Sequence, residues 1–465
     1  MSDDLAWKPL SEQLRLIRSG VASAYELAEL YLKRIESFDG QLKSYVSLNE
    51  NLLQQARAID ECIKSGRQCG PLAGACIAVK DNYLTSDMPT RVGTDVKSLS
   101  FPQRDSRVVS NLRHAGALVL GKTRLHEFAW GAVTPPTRNP WDPACVPGGS
   151  SGGSGAALAA GLCSAATGSD TGGSIRMPAN LCGVVGIKPT FGLVSRAGVV
   201  PHSWSLDHAG PLARTVRDAA LLLQVFAGFD IDDPSSVMRD DNYVSACGES
   251  IKNMRVAVIT NHFTEAVSGD VEQKFNEALE WVRSEGLAIR EYKVPSLEYG
   301  LAAIFAIELS SASAYHDRAV QEGLTSGYKE DVRDLIDMGR FVTGVDYLHA
   351  EQIRTLMCRE MAAILKENDI ILTPTMPIPA WRVGQSVIDI KGESHDVLES
   401  SWRFTYPFNL TGLPAMTVPT GFSADGLPIG LQVVSRPFAE KQVFRFASAF
   451  EESHQEQIKK PSRYI

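Results

Sequence analysis

Apolar residues recur at steps of three and four over residues 8–37 and 47–66, for example Leu27, Leu30, Tyr31 and Ile35, which predicts amphipathic helices. The register then changes. Ala75-Cys76-Ile77-Ala78-Val79 is a short continuous apolar run, as a strand buried on both faces requires, and Lys80 stands at its end. A helix over about 105–115 followed by Ala117-Leu118-Val119-Leu120-Gly121 repeats the helix-then-buried-strand order. Val256–Ile259 and Ile370–Thr373 are further runs of this kind. The alternation predicts an α/β class with a parallel or mixed sheet under helices. Residues 1–70 form a helical cover, and the mainly helical, polar-patterned stretch from about 295 to 400 is the candidate for a variable cap. No repeat of fixed period and no low-complexity linker divides the chain.

Composition narrows the classes. With 465 residues, 44% apolar and 22% charged, the chain is ordinary globular material. A formal charge of −8, with no Lys/Arg run, excludes a phosphate-tracking stripe, so no nucleic acid is expected as a partner of the chain by itself. Met1-Ser2-Asp3-Asp4 is acidic and lacks the basic and apolar regions of a secretory signal. Apolar stretches such as 219–227 are too short to span a bilayer and are broken by Gln224. A cytoplasmic protein with no membrane contact is expected. The eight cysteines show no C-x-x-C pair and read as reduced structural thiols. No H-E-x-x-H or Cys/His cluster appears, so no metal and no other cofactor is expected, and His202 and His208 read as packed or solvated.

The chemistry concentrates in residues 148–178. Gly148-Gly149-Ser150-Ser151-Gly152-Gly153-Ser154-Gly155 turns and enters a small-residue helix over 156–166; a second turn, Gly168-Ser169-Asp170-Thr171-Gly172-Gly173-Ser174, follows. A helix of about 11 residues carries the chain roughly 16 Å away, and five or six extended residues return it by roughly 17–20 Å. Ser150 and Ser174 are thereby brought close. Glycines beside each serine admit a substrate to main-chain N–H groups, and those of Thr171, Gly172, Gly173 and Ser174 form a nest for an oxyanion. A serine hydroxyl needs a base. Lys80, at the end of a buried strand, is the candidate, because desolvation favours its neutral amine. Ser150 also satisfies G-x-S-x-G, but a strand–elbow–helix reading is excluded by the turn-rich approach Asn139-Pro140-Trp141-Asp142-Pro143. Asp170 and Arg176 read as structural partners of the second turn. Ser151, Ser154 and Thr171 are left between contact with the serine–lysine relay and capping of the glycine loops.

Gly148–Ser154 joined to Gly168–Ala179 resembles the core of the amidase signature family, a long and specific motif. The likeness extends through Gly74, Lys80-Asp81, Gly121-Lys122-Thr123, Asn139-Pro140-Trp141 and Gly183–Thr190, and resumes at Leu413-Pro414-Ala415 and Gly426–Gln432. It implies one α/β domain over 1–465 around a central mixed sheet, with helices on both faces and the signature core at about 71–235. It implies Ser174 as the acylated nucleophile, Ser150 on a cis peptide bond as proton relay, and Lys80 as base. It further implies an oxyanion hole from Thr171, Gly172, Gly173 and Ser174, and a substrate contact near Ala129. The partner is then a small-molecule amide, carbamate or urea-like compound, and a homodimer is compatible with the resemblance. Two alternatives remain: the glutaminase subunit of a tRNA-dependent amidotransferase, and a catalytically silent binding protein of the same fold. Against the first, Met177 stands where that subunit has Gln, and Phe191-Gly192-Leu193 replaces Tyr-Gly-Arg.

Overall fold

The computed structural model describes residues 3–239, 241–457 and 459–465. Met1 and Ser2, the start of the acidic N-terminal stretch, lie outside the described residues. The strands, in chain order, are β1 (Tyr45–Leu48), β2 (Cys76–Lys80), β3 (Leu118–Thr123), β4 (Ala165–Asp170), β5 (Val185–Lys188), β6 (His208–Ala213) and β7 (Arg255–Ile259). They continue with β8 (Ala288–Tyr292), β9 (Ile370–Pro374), β10 (Val387–Ile390), β11 (Glu393–Asp396), β12 (Ala415–Phe422) and β13 (Pro428–Val434). Eleven of them form one sheet in the order β1-β3-β2-β4-β6-β5-β12-β13-β9-β7-β8, and β10 pairs only with β11. β2 is parallel to β3 and β4, and β7 is parallel to β8 and β9; β12 and β13 are antiparallel to each other and to their neighbours. The sheet is therefore mixed, as expected.

The apolar runs predicted as strands are strands. Alternation along β2 sends Ile77 and Val79 into one core cluster and Cys76 and Ala78 into another, which also holds Ala156 and Ala157 of the helix Gly152–Ala159. Each face of the sheet is thus sealed by helices, which is why β2 and β3 carry no polar face.

The structure departs from the sequence reading in several places. The predicted helix over 8–37 is two, Leu10–Arg18 and Ala24–Leu42, because Ser23 caps the second one reciprocally with Glu26. Within 47–66, β1 precedes a helix over Leu52–Lys64. The helix expected over 156–166 runs over Gly152–Ala159 and stops before Gly161, which has φ +67. Gly168, Ser169 and Asp170 are the end of β4, so the second turn begins only at Thr171. Cys62 and Cys69 are disulfide-bonded, which corrects the expectation of eight reduced thiols; the chain folds back past the end of Leu52–Lys64 and brings their Cα atoms to 6.1 Å. Among the described residues no helix is long and apolar enough to cross a membrane.

Candidate active site

Lys80 ends β2 on the same side as Cys76 and Ala78, towards the helix Gly152–Ala159. β4 lies parallel beside β2, with Ile77 opposite Ala165 and Ala78 opposite Ala166, and the Lys80 N–H donates to Thr167 Oγ1 at 2.9 Å. The C-terminal ends of the two strands therefore emerge side by side. Ser151 N–H donates to the Ser174 carbonyl at 3.2 Å and ties the turn before the helix to the turn after β4. The Gly149–Ser150 peptide is cis.

Lys80 is fully buried, and its Nζ lies 2.8 Å from Ser150 Oγ, 2.8 Å from Ser169 Oγ and 3.4 Å from the Ser169 carbonyl oxygen. Burial pulls its pKa down from 10.5 to about 7, with Asp170 and Asp207 opposing. A neutral amine has two protons and one lone pair. The Ser169 carbonyl can only accept, and Ser169 Oγ also accepts from Asn82 Nδ2 at 3.0 Å. With both amine protons directed at Ser169, the lone pair is left for the Ser150 hydroxyl proton.

The turn Thr171–Ser174 is held by what surrounds it. Asp170, fully buried, accepts from Ile175 N–H at 3.1 Å and from Arg176 Nε and Nη2 at 3.0 and 2.9 Å. Burial alone would raise the Asp170 carboxyl, but the Arg176 guanidinium outweighs it and holds it well below the usual carboxylate range. Arg176 in turn donates to the Thr405 carbonyl, Gln432 Oε1 and Asn409 Oδ1. Thr405 Oγ1 donates to the Gly172 carbonyl at 2.5 Å. A Cβ at Gly172 would meet the Trp402 ring at 2.6 Å, so only glycine lets that ring close over the turn. The backbone N–H groups of Thr171, Gly172, Gly173 and Ser174 make no hydrogen bond among the described residues. Four adjacent donors without a protein acceptor thus stand in a nearly buried turn.

Gly172, Ser174 and Ala129 line one cavity of about 410 Å³. Its walls include Trp130, Val133, Met177, Leu301, Phe305, Leu335, Leu398 and Trp402, and its charged lining groups are Glu308, Asp331, Asp396 and Glu399. No Lys or Arg lines it among the described residues. Ala129 follows Phe128 in a loop where both residues have positive φ, +66 and +50. Its carbonyl oxygen lies 3.0 Å from His202 Nδ1.

The structure thus brings Lys80 to Ser150, and Ser174 to the free donors of Thr171–Ser174 and to Ala129. Ser151 donates its hydroxyl to the Ser169 carbonyl that Lys80 also reaches, whereas the hydroxyls of Ser154 and Thr171 donate to the Thr167 carbonyl and Asp207 Oδ1. Asp170 and Arg176 pair as the structural partners they were read to be. Phe128 packs against His316 and Tyr328, whereas Trp130 faces the cavity. His208 is packed, with Nδ1 2.6 Å from the Leu206 carbonyl. Sequence reasoning missed Ser169, although it lies inside the motif one residue before Asp170. It also missed Trp402, Thr405, Asn409 and Glu308, which carry no local signal and arrive from more than 100 residues away.

Comparison with known proteins now bears on this geometry. The family model described as Amidase matches residues 26–444. The chain belongs to the amidase signature family. An amidase from Pseudomonas putida is 40% identical over 96% of this chain and 95% of its own length. A glutamyl-tRNA(Gln) amidotransferase subunit of Microcystis aeruginosa is 39% identical over 95% of this chain and 96% of its own. Among solved structures, a chain from a vestigial protein complex tied to the origins of an s-triazine catabolic enzyme superposes with a TM-score of 0.91. It is 32% identical and covers 96% of this chain and 99% of that one. This amidase signature protein is accordingly a hydrolase of C–N bonds with amidohydrolase activity.

Proposed function

We propose that Ser174 is the nucleophile of a free-standing amidase, with Ser150 as relay and Lys80 as base. The observation that carries the reading is the buried Lys80 amine 2.8 Å from Ser150 Oγ, with its pKa lowered to about 7. At neutral pH a large fraction of this amine is unprotonated, which a general base requires. Lys80 accepts the Ser150 proton as Ser150 takes that of Ser174, and Ser174 Oγ attacks the carbonyl carbon. The N–H groups of Thr171–Ser174 receive the oxyanion. Ser150 passes its proton to the leaving nitrogen while Lys80 returns one to Ser150, and water, deprotonated through the same relay, then releases the acid from the acyl-enzyme and restores the Ser174 hydroxyl.

The lining of the cavity supports an uncharged amide with an apolar or aromatic body as substrate. Trp130, Phe305 and Trp402 offer ring surface, while the carboxylates, with no Lys or Arg among the described lining residues, disfavour a substrate bearing a free carboxylate. The same feature weighs against glutamine, and so against the amidotransferase reading. The purified chain alone is expected to hydrolyse apolar primary and aryl amides faster than glutamine. Ser174→Ala should abolish that turnover with an unchanged thermal melt. Retained turnover in Ser174→Ala, or robust glutaminase activity in the wild type, would overturn the proposal.

A further inference from the structure

His202 sits between the cavity loop and the helix that closes over it. Its Nδ1 lies 3.0 Å from the Ala129 carbonyl oxygen and its Nε2 lies 2.8 Å from Glu308 Oε1. A carbonyl only accepts, so Nδ1 carries a proton; Nε2 faces the Glu308 carboxylate at ion-pair distance but out of hydrogen-bond alignment, where the negative charge favours a protonated ring over a lone pair. An imidazolium suits both neighbours, whereas the neutral ring with its proton on Nδ1 sets a lone pair against the carboxylate. The ring lies against Trp130 with centroids 4.2 Å apart, and His202 and Glu308 are both buried.

The two groups it bridges are opposite parts of the site. Ala129 and Trp130 belong to the loop after β3, which also reaches the relay, because His126 N–H donates to the Ser150 carbonyl at 3.3 Å. Glu308 belongs to the helix Gly300–Gln321, which supplies Leu301 and Phe305 to the other wall. Phe128 and Ala129 are consecutive non-glycine residues in the left-handed region, a backbone that persists only where its surroundings hold it.

We propose that His202, as an imidazolium between the Ala129 carbonyl and the Glu308 carboxylate, is a positioning residue that sets the two walls of the Ser174 cavity at their working separation. The inference rests on Ser174 being the nucleophile and adds a determinant of how substrate is held. Around the ring, Glu308 and His316 face it from Gly300–Gln321, and Asp207, whose Oδ2 accepts from the His202 backbone N–H at 2.8 Å, faces it from the turn before β6. Burial alone would lower the ring's pKa; Glu308, with Asp207, outweighs it and leaves it above the usual histidine value. The clasp is therefore intact below that raised pKa and is lost as pH rises through it, whereas Lys80 becomes competent as pH rises through about 7. The two titrations act on the site in opposite senses.

The test is labelling of Ser174 by an alkyl fluorophosphonate as a function of pH, separated into kinact and KI. The wild type should give a bell, with Lys80 on the rising limb and His202 on the falling one. Glu308→Gln keeps an acceptor for Nε2 but removes the charge. Its falling limb should move at least about one pH unit to the acid side, with the rising limb in place and the loss falling on KI. A falling limb that stays where it was, or a loss confined to kinact, would overturn the proposal. Should Glu308→Gln fail to fold, 15N-histidine spectra of the wild type decide, with His202 identified by its contacts to the Trp130 indole. Two ring protons at neutral pH support the clasp, and one overturns it. A wild type that never labels at Ser174 would instead overturn the nucleophile assignment.

Discussion

Replacing Lys80 by Met separates the cost of burying an amine from its use. Lys80 is fully buried, and its pKa falls from 10.5 to about 7, chiefly by desolvation. Between those values the unfolded chain binds a proton that the folded one releases, so this group makes stability rise with pH across that window. At about pH 7.5 the penalty amounts to about 4 kcal/mol, and by about pH 9.5 more than half of it is gone. Met fills similar volume without a charge but leaves the hydroxyls of Ser150 and Ser169 without their amine partner, at a cost of roughly 1 kcal/mol each. Lys80→Met should therefore be more stable than the wild type by about 2 kcal/mol at about pH 7.5 and should lose that advantage by about pH 9.5. Turnover should fall by at least about 10²-fold. Urea unfolding of both proteins at the two pH values, followed by tryptophan fluorescence and circular dichroism, measures the difference. A gap of equal size at both pH values would refute the reasoning, since Lys80 would then not be held as a neutral amine.

Two further outcomes follow from the turn after β4. Gly172→Ala drives a methyl into Trp402, displaces the free N–H groups and should lower kcat by about 10²- to 10³-fold, while Gly172→Ala combined with Trp402→Leu regains part of it; steady-state kinetics on an apolar amide would show whether it does. Asp170→Asn leaves the Arg176 guanidinium buried without its counter-charge and should cost about 3–5 kcal/mol, read as a shift in the urea midpoint. Because Arg176 holds the Asp170 carboxyl below its usual range, the wild-type pair persists throughout the neutral and mildly acid range and is lost only as pH falls through that depressed value.

Much of this site was legible in one dimension. The runs ending at Val79 and Leu120 gave buried strands because a sheet covered on both faces tolerates no polar alternation. The glycines around Ser150 and Ser174, and the lysine closing a buried strand, named the chemistry because few other uses require those residues in that order. Boundaries were less legible. The small residues of 156–166 suit a helix along their whole length, and only Gly161 at positive φ together with the pairing of β4 with β2 and β6 ends the helix at Ala159 and gives Ala165 and Ala166 to a strand. Likewise nothing in the spacing of eight cysteines selects Cys62 and Cys69; their proximity depends on how the chain leaves the helix Leu52–Lys64.

Local pattern determined the class of fold, the strand that carries Lys80 and the two serine turns, since hydrophobic period and glycine placement act over a few residues. The chemical state of those residues was decided by tertiary structure alone. Complete burial beside Ser150 and Ser169 lowers the Lys80 pKa to about 7, and the Thr171–Ser174 turn keeps its donors free because Arg176, Thr405 and Asn409 hold it from behind. The cavity owes its apolar walls to Phe305 and Trp402, and His202 its raised pKa to Glu308. Each of these depends on desolvation or on contacts between residues far apart in sequence, and neither has a signature that a stretch of neighbouring letters can carry.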